Sequence, residues 1–272
     1  MFCQINGIRV YYETYGKGIP VLLLHGFPLD SRIMIGCMEP IFREITGYQR
    51  IYLDFPGMGQ TEVSRHINST DDILQFTLDF IDLILPNKEF LLVGESYGGY
   101  IASGIAVKRR EYIQGLLLIC PMLEPDFSKR NLPKRTILER DEKYYCNLSL
   151  KLQKEIDSFL VIENERICKR FLQEIPQAMK IANMETLNRI QQKSYGFSWD
   201  LFDIPNMFSF PALFICGRQD DVVGYQDALK FSEKFSHITV SILDKAGHYA
   251  QVEQQEIFEM LVNEWLKRIR SA

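Results

Sequence analysis

Hydrophobic and polar residues alternate on either side of Asn6-Gly7, over residues 2–5 and again over 8–15. Asn-Gly between alternating runs suits a tight turn with both residues at positive φ, so the pattern predicts an antiparallel hairpin. Beyond it the alternation gives way to short, mostly apolar runs at 21–24, 50–53, 90–93, 115–119, 212–216 and 238–243. Runs of strand length without a polar face fit strands buried on both sides, as in a parallel sheet. Between them, apolar positions recur at helical spacing over 38–45, 70–85, 97–109, 226–235 and 252–269, with Ser69, Thr70 and Asp71 supplying cap chemistry for the second. Strand and helix in alternation imply βαβ crossovers, hence an α/β fold.

The rhythm stops between Pro121 and Pro205. No strand-like run occurs there, while Lys, Glu, Arg, Leu and Ile repeat at helical spacing through 150–160, 163–173 and 177–192. Roughly 85 residues is far longer than an ordinary crossover, so this stretch is expected to be a helical cap inserted into a core made of 1–120 and 206–272.

Composition narrows the functional classes. The chain has 272 residues, 46% hydrophobic and 24% charged, enough apolar material for a large core. A net charge of −4 offers no basic footprint for nucleic acid or an anionic membrane, which leaves a small-molecule substrate as the expected partner. The longest apolar runs fall well short of the roughly 18 residues that span a bilayer. No basic head followed by an apolar stretch opens the chain, so a cytoplasmic location is expected. The six cysteines, at 3, 37, 120, 146, 168 and 216, form no C-x-x-C pair and read as incidental or buried thiols. No His/Cys/Asp/Glu group has metal-ligand spacing, so neither a metal nor a cofactor is expected. A homodimer through the cap is one arrangement the sequence allows.

Candidate chemistry begins where the run 90–93 ends. Gly94-Glu95-Ser96-Tyr97-Gly98 is G-x-S-x-G between a predicted strand and a predicted helix. A serine thrust outward on so tight a turn crowds the residues two positions away, and glycines at 94 and 98 remove the Cβ atoms that would clash. The following helix N-terminus favours developing negative charge. A nucleophilic serine needs a base and the base needs an orienting acid. Asp220 and Asp221 follow the run 212–216, and His248 follows 238–243. All three candidates therefore lie after strands of one parallel sheet, at the edge where such sheets bind ligands.

These features together resemble the α/β-hydrolase-fold superfamily, in particular its capped serine esterases and lipase-like enzymes. The resemblance rests on five stretches in the family's order: Leu22-Leu23-Leu24-His25-Gly26-Phe27-Pro28, Asp54-Phe55-Pro56-Gly57-Met58-Gly59-Gln60-Thr61, Gly94 to Gly98, Gly217 to Asp220, and Gly247-His248. It implies an α/β-hydrolase fold: a mostly parallel sheet with an N-terminal antiparallel hairpin, flanking helices and an inserted helical cap. It implies a serine hydrolase acting on a small, apolar ester or related acyl compound through an acyl-enzyme. Ser96 is then the nucleophile, His248 the base and Asp220, preferred over Asp221 by family spacing, the orienting acid. The backbone N–H groups of Phe27 and Tyr97 form the expected oxyanion hole. Trp199 and Phe202 are candidate substrate contacts, with packing inside the cap as the competing role; Tyr195 and Phe197 share that choice. His25 and the Asp54 turn are expected to order loops, His66 and His237 to be solvated, and Glu95 is assigned no role. Thioesterases and carbon–carbon bond hydrolases use the same triad and remain alternatives, as does a non-catalytic binding protein of this fold.

Overall fold

The computed structural model describes residues 1–204 and 207–271. The predicted return from cap to core between Pro205 and Asn206, and the end of the core at Ala272, lie outside the described residues.

The hairpin forms as predicted: β1 (Phe2–Ile5) pairs antiparallel with β2 (Ile8–Gly16), with Asn6 at φ 48° and Gly7 at φ 80°. The six apolar runs become β3 (Ile19–Leu24), β4 (Tyr48–Leu53), β5 (Phe90–Glu95), β6 (Ile113–Ile119) and, past the long intervening segment, β9 (Ala212–Gly217) and β10 (Ile238–Leu243). They join the hairpin in one eight-stranded sheet of order β1-β2-β4-β3-β5-β6-β9-β10, in which β2 pairs antiparallel with β4 and every later pairing is parallel. Every residue of β5 and β9 is buried, which explains their lack of a polar face.

Helices α1 (Ser31–Phe42), α2 (Thr70–Ile84), α3 (Tyr97–Lys108), α8 (Gln226–Ser232), α9 (Ala250–Glu253) and α10 (Gln255–Arg270) cover the sheet. The first starts seven residues before the expected 38, because Asp30 caps it by accepting from Arg32 N–H and the helix continues through Pro40. Ser69 caps α2 by accepting from Asp72 N–H.

Between β6 and β9 the chain forms α4 (Glu142–Tyr145), α5 (Leu150–Asp157), α6 (Glu165–Ile181) and α7 (Met184–Lys193). The stretches read at helical spacing over 163–173 and 177–192 divide at a different point: α6 runs through Pro176 and stops at Ala182, after which Asn183 caps α7 from Thr186 N–H. The expectation of no strand here also needs correction. β7 (Glu139–Arg140) and β8 (Ile162–Glu163) form a two-residue parallel ladder, too short to leave a periodic signature. No helix among the described residues is long and apolar enough to cross a membrane.

Candidate active site

The carboxyl ends of β5, β9 and β10 bring Ser96, Asp220 and His248 together. Ser96 caps the junction of β5 and α3 at φ 52°, ψ −117°, a backbone region that costs a non-glycine residue about 1–3 kcal/mol. The strain is held by packing. A Cβ at Gly94 would run into the backbone of Gly98, and one at Gly98 into the carbonyls of Leu24 and His25, so only glycine lets the turn close. Ser96 N–H donates to Ile119 O at 2.9 Å, tying the turn to β6.

His248 Nε2 lies 2.9 Å from Ser96 Oγ, and its Nδ1 lies 2.9 Å from Asp220 Oδ2. With the carboxylate on Nδ1, that nitrogen carries the proton and Nε2 is free to accept from the serine hydroxyl. The other oxygen, Asp220 Oδ1, accepts from Val222 N–H at 2.9 Å and Val223 N–H at 3.0 Å, which fixes the carboxylate's direction. Burial opposes a charge on His248, but Asp220 and, further off, Glu95 more than offset it, and the imidazole pKa lies above its ordinary value. Asp221 instead faces Arg135, 3.7 Å away.

The Phe27 and Tyr97 N–H groups, the expected oxyanion donors, have no acceptor among the described residues; the latter belongs to the first residue of α3, where no intrahelical partner exists. The Tyr97 side chain turns away, donating to Thr70 Oγ1 at 3.0 Å. His25 is fully buried, with Nε2 accepting from Phe55 N–H and Nδ1 against Gly26 O, so it orders the loop under the site as expected. Asp54 likewise receives Ser31 N–H and Gln60 N–H. His66 and His237 are exposed.

Ser96 and His248 open into a cavity of about 340 Å³. Phe27, Leu29, Met122, Met179, Tyr195 and Val223 give it a largely apolar wall. Trp199 and Phe202 do not line it. Trp199 stacks on Phe197 at 4.7 Å between ring centroids, and Phe202 meets Phe231 edge-on at 5.8 Å, so both are used in packing. Tyr195 does reach the cavity, stacked on Tyr97.

Two ionisable groups in the cavity wall went unassigned in the sequence. Arg130 donates to the carbonyls of Glu124, Pro125 and Val222 and has no carboxylate partner among the described residues. Glu95 is fully buried, and neither carboxyl oxygen has a hydrogen-bond partner among the described residues. Burial pushes its pKa up to about 7, against the opposing pull of His248 and the nearby Gly26 N–H. Another buried carboxylate stands just outside: Glu253 Oε2 accepts from Gly247 N–H at 2.6 Å, and Oε1 from the N–H groups of Val161 and Ile162. It ties the histidine loop to the segment between β6 and β9. Cys120 Sγ, Asp220 and His248 present donor atoms within 4.8 Å of one another. The Nδ1 of that histidine is already committed to Asp220, and burial holds the thiol protonated, so the group is poorly suited to a cation.

A family model for the alpha/beta hydrolase fold matches residues 19–255. The chain belongs to the α/β hydrolase family. An alpha/beta superfamily hydrolase from Oenococcus oeni PSU-1 superposes with a TM-score of 0.88 at 28% identity, over 97% of this chain and 96% of that one. A pimeloyl-[acyl-carrier protein] methyl ester esterase of Legionella pneumophila (strain Corby) is 23% identical, over 96% of this chain and 100% of its own. A 2-hydroxy-6-oxo-6-(2'-aminophenyl)hexa-2,4-dienoic acid hydrolase of Metapseudomonas resinovorans is 24% identical, over 98% and 90%. This α/β hydrolase is thus an enzyme of the hydrolase class, with esterases among its relatives.

Proposed function

We propose that this α/β hydrolase cleaves a small, mostly apolar ester through an acyl-enzyme on Ser96. The observation that carries the reading is the continuous chain Ser96 Oγ to His248 Nε2, then Nδ1 to Asp220 Oδ2, each link 2.9 Å, opening into an apolar cavity. Ser96 Oγ attacks the acyl carbon while its proton passes to Nε2. Asp220 holds the imidazole in the required tautomer and stabilises its charged form. Negative charge gathering on the former carbonyl oxygen is met by the Phe27 and Tyr97 N–H groups, an arrangement in which one such donor is worth about 3 kcal/mol. Nε2 then gives its proton to the departing alcohol, and water releases the acid.

Residues 121–205 act in this reading as a cap. They supply Met122, Arg130, Phe159, Met179, Met184 and Tyr195 to the cavity wall, which excludes water and shapes the acyl site. Relatives named for methyl ester hydrolysis support an ester, and the relative named as a hexadienoic acid hydrolase supports carbon–carbon cleavage as the second reading.

Intact mass after fluorophosphonate treatment tests the proposal. One adduct on wild type, with none on Ser96→Ala and a far slower one on His248→Ala, is the expected result. A folded wild type that takes no label would overturn the proposal in favour of a binding protein of this fold. Ester, thioester and vinylogous 1,5-diketone substrates offered to the labelled-competent enzyme then separate the bond classes.

A further inference from the structure

Glu95 presents an unresolved cost. Its side chain is wholly inaccessible, and neither carboxyl oxygen has a hydrogen-bond partner among the described residues. With the Gly26 N–H near but outside hydrogen-bond geometry, such a buried carboxyl is penalised far more than an apolar side chain of the same size. The carboxyl also contributes to the wall of the cavity that holds Ser96 and His248. One oxygen, Oε2, lies so close over Gly26 that any side chain there would collide with it and with Ser96 Cβ. The other, Oε1, lies 3.9 Å from His248 Nε2, too far for a direct hydrogen bond.

That separation suits a bridging water. A water about 2.8 Å from each of two acceptors 3.9 Å apart subtends an angle of about 90° at its oxygen, close to the spread of its own two O–H bonds. We propose that Glu95 Oε1 and His248 Nε2 together hold the water that hydrolyses the acyl-Ser96 ester. In the free enzyme Nε2 accepts the Ser96 hydroxyl. Once Oγ is acylated it has no proton to give, and Nε2 becomes available to the water. The water donates one O–H to Nε2 and the other to Oε1, which leaves a lone pair for the acyl carbon. The new C–O bond forms as the first proton moves to Nε2; the C–Oγ bond then breaks, and that proton returns to Oγ. Glu95 exchanges no proton in the cycle. It fixes where the nucleophile stands, and so acts chiefly on the second half-reaction.

This inference rests on the acyl-enzyme reading, and the two half-reactions separate them. Wild type, Glu95→Gln and Glu95→Leu are mixed with p-nitrophenyl butyrate in a stopped-flow instrument. The burst of nitrophenolate reports acylation, and the steady rate reports deacylation. Glu95→Leu is expected to acylate within about threefold of wild type but to deacylate about 10²-fold more slowly. Its butyryl adduct then dominates the intact mass and maps to Ser96. Glu95→Gln keeps an acceptor oxygen at the same place and is expected to recover most of the deacylation rate. Fluorophosphonate labelling at the wild-type rate shows that each variant retains an assembled site. Equal slowing of both half-reactions, or unchanged deacylation in Glu95→Leu, overturns the assignment of the water while leaving the acyl-enzyme standing. A wild type that forms neither butyryl nor phosphonyl adduct overturns both.

Discussion

Two carboxylates approach His248 from the ends of different strands, and they are built in opposite ways. Asp220, on the turn after β9, spends both oxygens on protein donors: Val222 N–H and Val223 N–H on one, His248 Nδ1 on the other. Glu95, at the end of β5, is equally buried and has no hydrogen-bond partner among the described residues. A satisfied carboxylate is held in one direction and orients its neighbour. An unsatisfied one is retained against stability, and its natural partner is a molecule that enters the cavity.

Removing the charge from each side should therefore give unlike results. Asp220→Asn is expected to lower kcat by about 10³–10⁴-fold on a good ester, because the amide favours the wrong imidazole tautomer. Asp221→Asn, whose carboxylate faces Arg135 instead, should stay within a few-fold. Steady-state assays of the two variants side by side check this, and a greater loss in Asp221→Asn would reverse the roles of the two acids.

Stability should move the other way at Glu95. Its pKa is about 7 folded and near 4.5 in an unfolded chain, so the folded state binds this proton more tightly. Stability from the group is full below about 4.5 and is lost as pH rises through 7. Glu95→Gln removes that loss. At pH 8 the variant should be more stable than wild type by up to about 3 kcal/mol, and the gain should close near pH 4. Urea unfolding at the two pH values measures it; a variant less stable at pH 8 would mean that the carboxylate has a protein partner after all.

Glu253 is the control that unites both behaviours, a buried carboxylate fully used on backbone donors. Glu253→Gln turns an amide NH₂ toward N–H groups and should cost about 1–3 kcal/mol of stability, with a drop in kcat as the Gly247-His248 loop loosens from Val161 and Ile162. Thermal melts and initial rates of one preparation read both. The smallest effect is expected at Trp199, which stacks on Phe197 away from the cavity. Trp199→Leu should leave KM unchanged while lowering the melting temperature by a few degrees.

The sequence made the edge that carries Ser96, Asp220 and His248 legible because its constraints are local. Gly94 and Gly98 are demanded by the turn around Ser96, and the run that places Asp220 is buried on both faces, while the one that places His248 is the half-buried edge strand β10. The cavity wall was less legible, since an aromatic at helical spacing packs equally well inward or toward a ligand. Trp199 and Phe202 pack on their own neighbours, whereas Met179 and Tyr195 reach the site, and composition does not distinguish the pairs. Glu95 and Glu253 were illegible for a further reason. Their importance lies in donors that come from distant segments, or in the lack of them, as when the N–H groups of Val161 and Ile162 meet a carboxylate some ninety residues later.

The most direct test of the contrast between the two carboxylates is the proton on His248 Nδ1. A strongly downfield imidazole N–H resonance should be present in wild type and in Glu95→Gln, and absent from Asp220→Asn and His248→Ala. Its survival in Asp220→Asn, or its loss in Glu95→Gln, would contradict the division of labour between Asp220 and Glu95.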